Sequence, residues 1–191
     1  MAGIKQPIQD LMNRLREIPE LQYVRVWNNQ IQSRKQGQHY DYPTPAAFVE
    51  VINSPVWEEI GMGFQGADLG VTIHLEHEYY DAQDGTFEQD LIVFDLRDKI
   101  VAKLSLYEAT ACGPLVKTGE SQSYDHDNVY EYTIDFACHF IDSKGSPYDP
   151  DAGKFIDKTP PTGLQVVVNE VNSIVGRENT PIHDITFKIP Q

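Results

Sequence analysis

From Leu69 to Tyr80 the chain alternates without a break: Val71, Ile73, Leu75, His77 and Tyr79 fall on one side, Thr72, His74, Glu76, Glu78 and Tyr80 on the other. Successive side chains of an extended strand point to opposite faces, so this pattern predicts a half-buried strand with one apolar surface that must be covered. Two segments have the spacing to cover it. Ile8, Leu11, Met12, Leu15, Ile18 and Leu21 recur every three or four residues, predicting an amphipathic helix from about Pro7 to Glu17 that Pro19 ends. Between Glu88 and Glu108, Val93, Leu96, Ile100, Val101 and Leu104 share a face while Asp95, Arg97, Asp98, Lys99 and Lys103 lie mostly on the other, a second helix broken by Cys112-Gly113-Pro114.

The remaining elements follow from composition and punctuation. Tyr23 to Trp27 alternates and is rich in β-branched and aromatic residues, Ala46 to Ile52 reads as a central strand, and Pro114–Ser123 and Val129–Ile141 predict two strands joined by a polar turn at residues 124–128. Gln30 to Tyr42 reads as a polar loop, and Asn53 to Gly70, with its glycines and no sustained period, as an irregular connection. Asp84-Gly85 predicts a turn, and prolines, glycines and aspartates crowd residues 143–163, ahead of two further strand-like segments at Leu164–Val168 and Ile185–Ile189. The expected fold is α+β: a mostly antiparallel β-sheet with two main α-helices on one face, over residues 1–141, then an extended C-terminal arm or added strands over 142–191.

Charge narrows the function classes. The 191 residues hold 29 acids against 15 bases, a formal net charge of −14 with no dense run of Lys or Arg. Such a surface repels nucleic acid, whose non-specific affinity depends on basic residues displacing counterions, and it disfavours anionic membranes while permitting basic partners. The N-terminal residues lack the pattern of a signal peptide, and no apolar run approaches the roughly 20 residues of a membrane helix, so a cytosolic protein is expected. Two cysteines, Cys112 and Cys138, are ordinary usage for a reducing compartment and are expected to be unpaired.

No catalytic constellation stands out, and the expectation is a protein that is not an enzyme and needs no cofactor. The best alternative is a metal-dependent hydrolase in which His74, Glu76 and Glu78, sharing one face of a strand, present an imidazole and two carboxylates to a cation. Against it stands the plain reading of a solvated acidic strand face. A thiol nucleophile assembled from Cys112, His126 or His139, and Asp125 or Asp135 lacks local support, since Cys112 follows a helix instead of opening one. Asp125-His126-Asp127 and Asp149-Pro150-Asp151-Ala152-Gly153 begin like calcium loops but lack the later glycine and closing glutamate, and read as turns. The glycines at 61, 63 and 66 lack the ending of a phosphate loop. Tyrosines on or beside strands, among them Tyr79, Tyr80, Tyr124, Tyr130 and Tyr132, offer large contact areas with polar tips, a composition suited to protein interfaces.

The N-terminal amphipathic helix, the strand ending VTIHLEHEYYD, the helix LIVFDLRDKIVAKL and the hairpin GPLVKTGESQSYDHDNVYEYTIDFACHF together resemble the tail terminator, or tail completion, proteins of long-tailed phages and prophages, over roughly residues 4 to 141. The resemblance implies a structural protein made in the host bacterial cytoplasm and carried in the virion tail. It implies a homo-oligomeric ring, commonly a hexamer, that caps the tail tube, stops its polymerisation and supports joining to the head-tail connector. Its partners would be copies of itself, the tail tube protein and connector proteins. Sheet edges with Tyr79, Tyr80, Tyr130 and Tyr132 would make subunit contacts, and the Gln30–Tyr42 loop or the arm would touch the tube. Another neck or tail adaptor of the same particle is the nearby alternative.

Overall fold

In the computed structural model the alternating segment is the C-terminal part of the longest strand, and every other element is placed by it. The structure describes residues 3–36, 41–53, 56–61, 63–78, 88–123, 129–149 and 152–155, all within the unit Met1–Asp157. In chain order the elements are α1 (Lys5–Leu15), β1 (Tyr23–Val26), α2 (Gln30–Lys35), β2 (Ala46–Asn53), β3 (Glu58–Gly61), β4 (Phe64–Glu78), α3 (Glu88–Leu104), β5 (Val116–Ser123), β6 (Val129–Asp142), β7 (Tyr148–Asp149) and β8 (Lys154–Phe155).

Six strands form one sheet in the order β1-β2-β4-β6-β5, with β3 pairing β4 off this path. All its pairings are antiparallel except that of β1 with β2, which is parallel. The register carries the alternation across the sheet. Val49, Ile73 and Ile134 stand side by side on one face, as do Ala47, Leu75 and Tyr132, and Val51, Val71 and Phe136. That face lies under α1 and α3. From α1 come Leu11 and Leu15, with Ile18 and Leu21 just beyond it, and from α3 come Val93, Leu96, Ile100 and Leu104, all buried in one cluster with the strand residues. Removing this apolar surface from water is the main driving force of the fold, at about 1.5–3 kcal/mol for each large side chain fully covered.

The helix ends have local causes. Pro7 sits in the first turn of α1, where its missing N–H costs no hydrogen bond. Arg14, in the last turn, complements the negative end of the helix dipole; its Nε donates to the carbonyl of Lys103 at 3.3 Å and so joins the C-terminal ends of α1 and α3. Lys103 Nζ meets Glu17 at 2.9 Å at the same junction. The second helix ends at Leu104, earlier than the predicted Glu108, because Leu106 takes a left-handed conformation (φ 59°) and its N–H donates to the Leu115 carbonyl at 2.8 Å.

Two segments expected to be irregular are ordered elements. The polar loop begins with the helix α2, whose Ile31 is buried with Tyr42, Ala46 and Phe48 on the sheet face opposite α1 and α3. Much of the connection from Asn53 to Gly70 is β3 and the first half of β4, with Gly61 (φ 113°) and Gly63 (φ 77°) at the turn between them. Gly63 has a second reason to be glycine: a Cβ there would lie 2.5 Å from the Gly145 carbonyl oxygen. Beyond β6 the chain forms the small hairpin β7–β8, in which the rings of Tyr148 and Phe155 meet edge to face. The turns at 84–85 and 124–128, the segments Leu164–Val168 and Ile185–Ile189, and the arm from residue 156 onward lie outside the described residues. No helix among the described residues is long and apolar enough to cross a membrane.

Candidate functional site

The second face of β4 carries the residues singled out for chemistry; His74 and Glu76 are buried and Glu78 partly so. Glu76 is 1% exposed and His74 8%. The register places Phe48, His74 and Thr133 in one row and Ala46, Glu76 and Glu131 in the next. α2 closes over this end of the sheet because Ile31 packs on Phe48 and Tyr42, and this brings Arg34, at the end of the same helix, over the carboxylates.

Both oxygens of Glu76 are occupied. Arg34 Nη1 donates to Oε1 at 3.1 Å, and the Tyr42 hydroxyl donates to Oε2 in a short hydrogen bond. The other Arg34 nitrogen, Nη2, donates to Glu78 Oε1, so one guanidinium bridges two carboxylates of β4. Its plane also lies over the Tyr42 ring, 5.0 Å from the centroid. Burial raises the Glu76 carboxyl above its ordinary range, and the hydrogen bond from Tyr42 and the charge of Arg34 only partly offset it. Burial also pushes the Tyr42 phenol up, reinforced by the adjoining Glu76. For Arg34, burial acts against the charged form, but Glu76 and Glu78 outweigh it and hold the guanidinium protonated.

His74 stands beside this group. Its ring stacks on Trp27 at 3.9 Å with an 8° interplanar angle, and Nε2 shares a hydrogen bond with Glu50 Oε2 at 2.8 Å. Among the described residues His74 Nδ1 has no hydrogen-bond partner and is buried, as is His77 Nδ1 on the other face. Burial pushes His77 below the ordinary imidazole range, against the opposing charge of Glu78. One row further along, Thr72 Oγ1 donates to Asp135 Oδ1 at 2.6 Å.

The three metal candidates of β4 are engaged by other side chains. His74, Glu76 and Glu78 do share a face, but a guanidinium and a phenol already satisfy Glu76, the same guanidinium holds Glu78, and His74 faces Glu50. Among the described residues no group of three or more His, Cys, Asp or Glu is placed to hold a metal ion. A cation arriving here would have to displace Arg34 from two carboxylates. The chemistry of the site is therefore that of a charged clasp between α2 and β4.

The described members of the thiol reading are not brought together. Cys112 and Cys138 are free and line one small apolar cavity on the helix-covered side. The neighbouring Cys138 thiol, with burial added, raises the Cys112 thiol well above its usual range. His139 and Asp135 are odd-numbered residues of β6 on the opposite face from Cys138, where His139 pairs with Asp68 at 3.1 Å and Asp135 with Thr72. Asp125 and His126 lie outside the described residues, as do the whole of the calcium-like fragment 125–127 and residues 150 and 151 of the other.

Of the tyrosines expected at subunit contacts, Tyr79 and Tyr80 lie outside the described residues, with Tyr124. Tyr132 belongs to the core: it is 9% exposed, with its ring edge-on to Phe94 at 6.2 Å, so it has little area left for a neighbour. Tyr130 packs partly buried against the same cluster. The partner that organises the site, Arg34, was not among the sequence candidates. Its signal, a lone arginine in a polar stretch, becomes legible only once α2 is seen to carry it over β4. No protein-family model matches the chain, and no curated protein matches it.

Proposed function

We propose that this chain is a tail-terminator-like structural protein, which assembles as a ring, caps a tail tube and supports head-tail joining. The observation that carries the reading is the layout of the sheet. One face is sealed by α1 and α3, while the outer strands β1 and β5 stand at opposite margins with no strand beyond them among the described residues. Contacts made by different surfaces of one subunit are heterologous, and they generate rings when the rotation closes. The order helix, strand, long central strand, helix, hairpin is also the order on which the resemblance rests.

Two further features support it. The buried, self-satisfied carboxylates of β4 are bound to structural partners, as suits a protein whose work is contact. The net charge of −14 keeps a lumen through which DNA passes from holding phosphates. In this reading the tail tube protein and the connector are the partners, and the predicted C-terminal arm adds contacts to a neighbouring subunit.

Sedimentation velocity combined with negative-stain imaging tests the proposal. Rings with a central opening are expected at high protein concentration or on the ends of tail tubes. A chain that stays monomeric under both conditions would sink it.

A further inference from the structure

The described arginines of this acidic chain divide into two kinds. Arg14 pairs with Glu17 at 2.8 Å, Arg34 with Glu76 at 3.1 Å, and Arg97 with Asp98 and Glu120, each at 2.6 Å. Arg16 and Arg25 have no carboxylate among the described residues. Arg16 is held by neutral acceptors, donating from Nη1 to Asn13 Oδ1 at 2.9 Å and from Nη2 to the Val24 carbonyl at 3.3 Å. Arg25 lies over the face of the Tyr23 ring, 5.3 Å from its centroid. Both are exposed, and both line a shallow cleft of about 220 Å³ at the β1 margin with Leu21 and Tyr23. The chain has 29 acids to 15 bases, and these two guanidiniums are held at one margin without an acid among the described residues. A planar guanidinium is built to take a carboxylate, bidentately where geometry allows.

The same chain carries a surface with the opposite deficit. On β3, Glu58 and Glu59 are exposed and have no cation among the described residues, and they are flanked by Trp57 and Ile60, 39% and 57% exposed. An exposed short strand bearing two acids and two large apolar side chains complements a cleft that offers two arginines and a tyrosine. The two surfaces do not overlap. β1 stands level with Ile73 of β4, through Val26 and Val49, and β3 stands level with Gly66. These levels are 73 − 66 = 7 residues apart on β4, and at about 3.3 Å per residue the separation is about 23 Å.

We infer that β3 of one copy docks into the Arg16/Arg25 cleft of the next, Glu58 and Glu59 meeting the guanidiniums while Trp57 and Ile60 cover Tyr23. Because donor and acceptor surfaces differ, the contact is head-to-tail and leaves one of each free for further copies. The inference names the subunit contact of the proposed ring and rests on that reading only for closure.

The test uses the full-length chain and charge reversal on both surfaces: Arg16→Glu with Arg25→Glu, Glu58→Lys with Glu59→Lys, and all four together. Sedimentation equilibrium gives the association constant, and circular dichroism melts check folding. Each one-sided reversal is expected to weaken self-association at least about 30-fold, the loss that follows when a charge at an interface is deprived of its partner. The fourfold variant, complementary again, is expected to regain most of it. The milder pair Arg25→Gln and Glu58→Gln provides the same comparison should a reversal unfold. Rings that persist unchanged in the one-sided variants overturn the inference and leave the ring reading standing. Reversal-sensitive dimers or open chains that never close uphold the inference and remove the ring. A fourfold variant that folds but fails to reassociate, or a wild-type chain that never self-associates, overturns the docking itself.

Discussion

On one face of β4, Leu69, Val71, Ile73 and Leu75 disappear beneath α1 and α3; on the other, His74 and Glu76 are buried just as fully beneath α2, Tyr42 and Trp27. The degree of burial is similar and its origin is not. Apolar side chains gain free energy by leaving water in any close-packed arrangement, whereas a carboxylate must be met by specific donors or it is strongly destabilising. The helix-covered face therefore tolerates variation that conserves volume. The α2 face depends on a handful of atoms: one guanidinium, one phenol and two carboxylates. Extended helices bury the first face, and a six-residue helix anchored by Ile31 and Arg34 closes the second.

The sharpest way to break the comparison is to cut each face at its centre. Phe136, 1% exposed in the row with Val51 and Val71, fills the middle of the apolar cluster. Phe136→Ala is expected to cost about 3–5 kcal/mol, the lost transfer energy plus the residual cavity. Denaturant unfolding measures that loss, and hydrogen exchange should show protection falling throughout the sheet. On the other face, Arg34→Met keeps an apolar side chain against Tyr42 but leaves Glu76 buried without its cation. The expected cost is about 3 kcal/mol at neutral pH, with exchange rising first in α2 and residues 41–45. Adding Glu76→Gln should recover a large part of it, because removing both members of a buried pair is far milder than removing one. If Arg34→Met lowers protection uniformly, the α2 face is not a separate clasp, and the contrast between the faces fails.

What could be read from the chain divides along the same line. Periodicity finds what burial of apolar surface dictates: Leu11 and Leu15 on α1, Leu96 and Ile100 on α3, and the odd residues of β4 all announce themselves within a few neighbours. The α2 face has no such signature. QIQSRK offers a single apolar residue and is too short to be stable alone, so it is helical only because Ile31 and Arg34 find Phe48 and Glu76 elsewhere in the chain. The first half of β4 was hidden by the glycines at 66 and 70, which interrupt the pattern of side chains but not the ladder of β4 with β6. His74, Glu76 and Glu78 share one face, as their alternation predicts. The partner that sets their chemistry, Arg34, lies 42 residues before Glu76 in the chain, beyond any local pattern.

The smallest expected effect is also the one that isolates the electrostatics of the clasp. Glu76 is surrounded by Arg34 from α2, Tyr42 from the segment before β2, Glu78 on its own strand and Glu131 opposite it on β6. Its burial outweighs Arg34 and Tyr42, so its folded pKa lies above the unfolded value of 4.5. A raised carboxyl binds its proton more tightly in the folded state, so its contribution to stability is fully present below 4.5 and is lost as pH rises through the folded value. Exposed, ion-paired Glu17, Glu20 and Glu120 are shifted downward and carry the opposite slope, losing their contribution as pH falls. Comparing wild type with Glu76→Gln cancels those groups and leaves the buried one. The stability of wild type relative to Glu76→Gln should therefore increase as pH falls from neutral toward 4.5, by no more than about 1.4 kcal/mol per pH unit for one proton. Urea unfolding of both proteins at several pH values reads this difference directly. A difference that shrinks on acidification would mean that Arg34 outweighs burial, turning Glu76 from a destabilised carboxylate into a stabilised one.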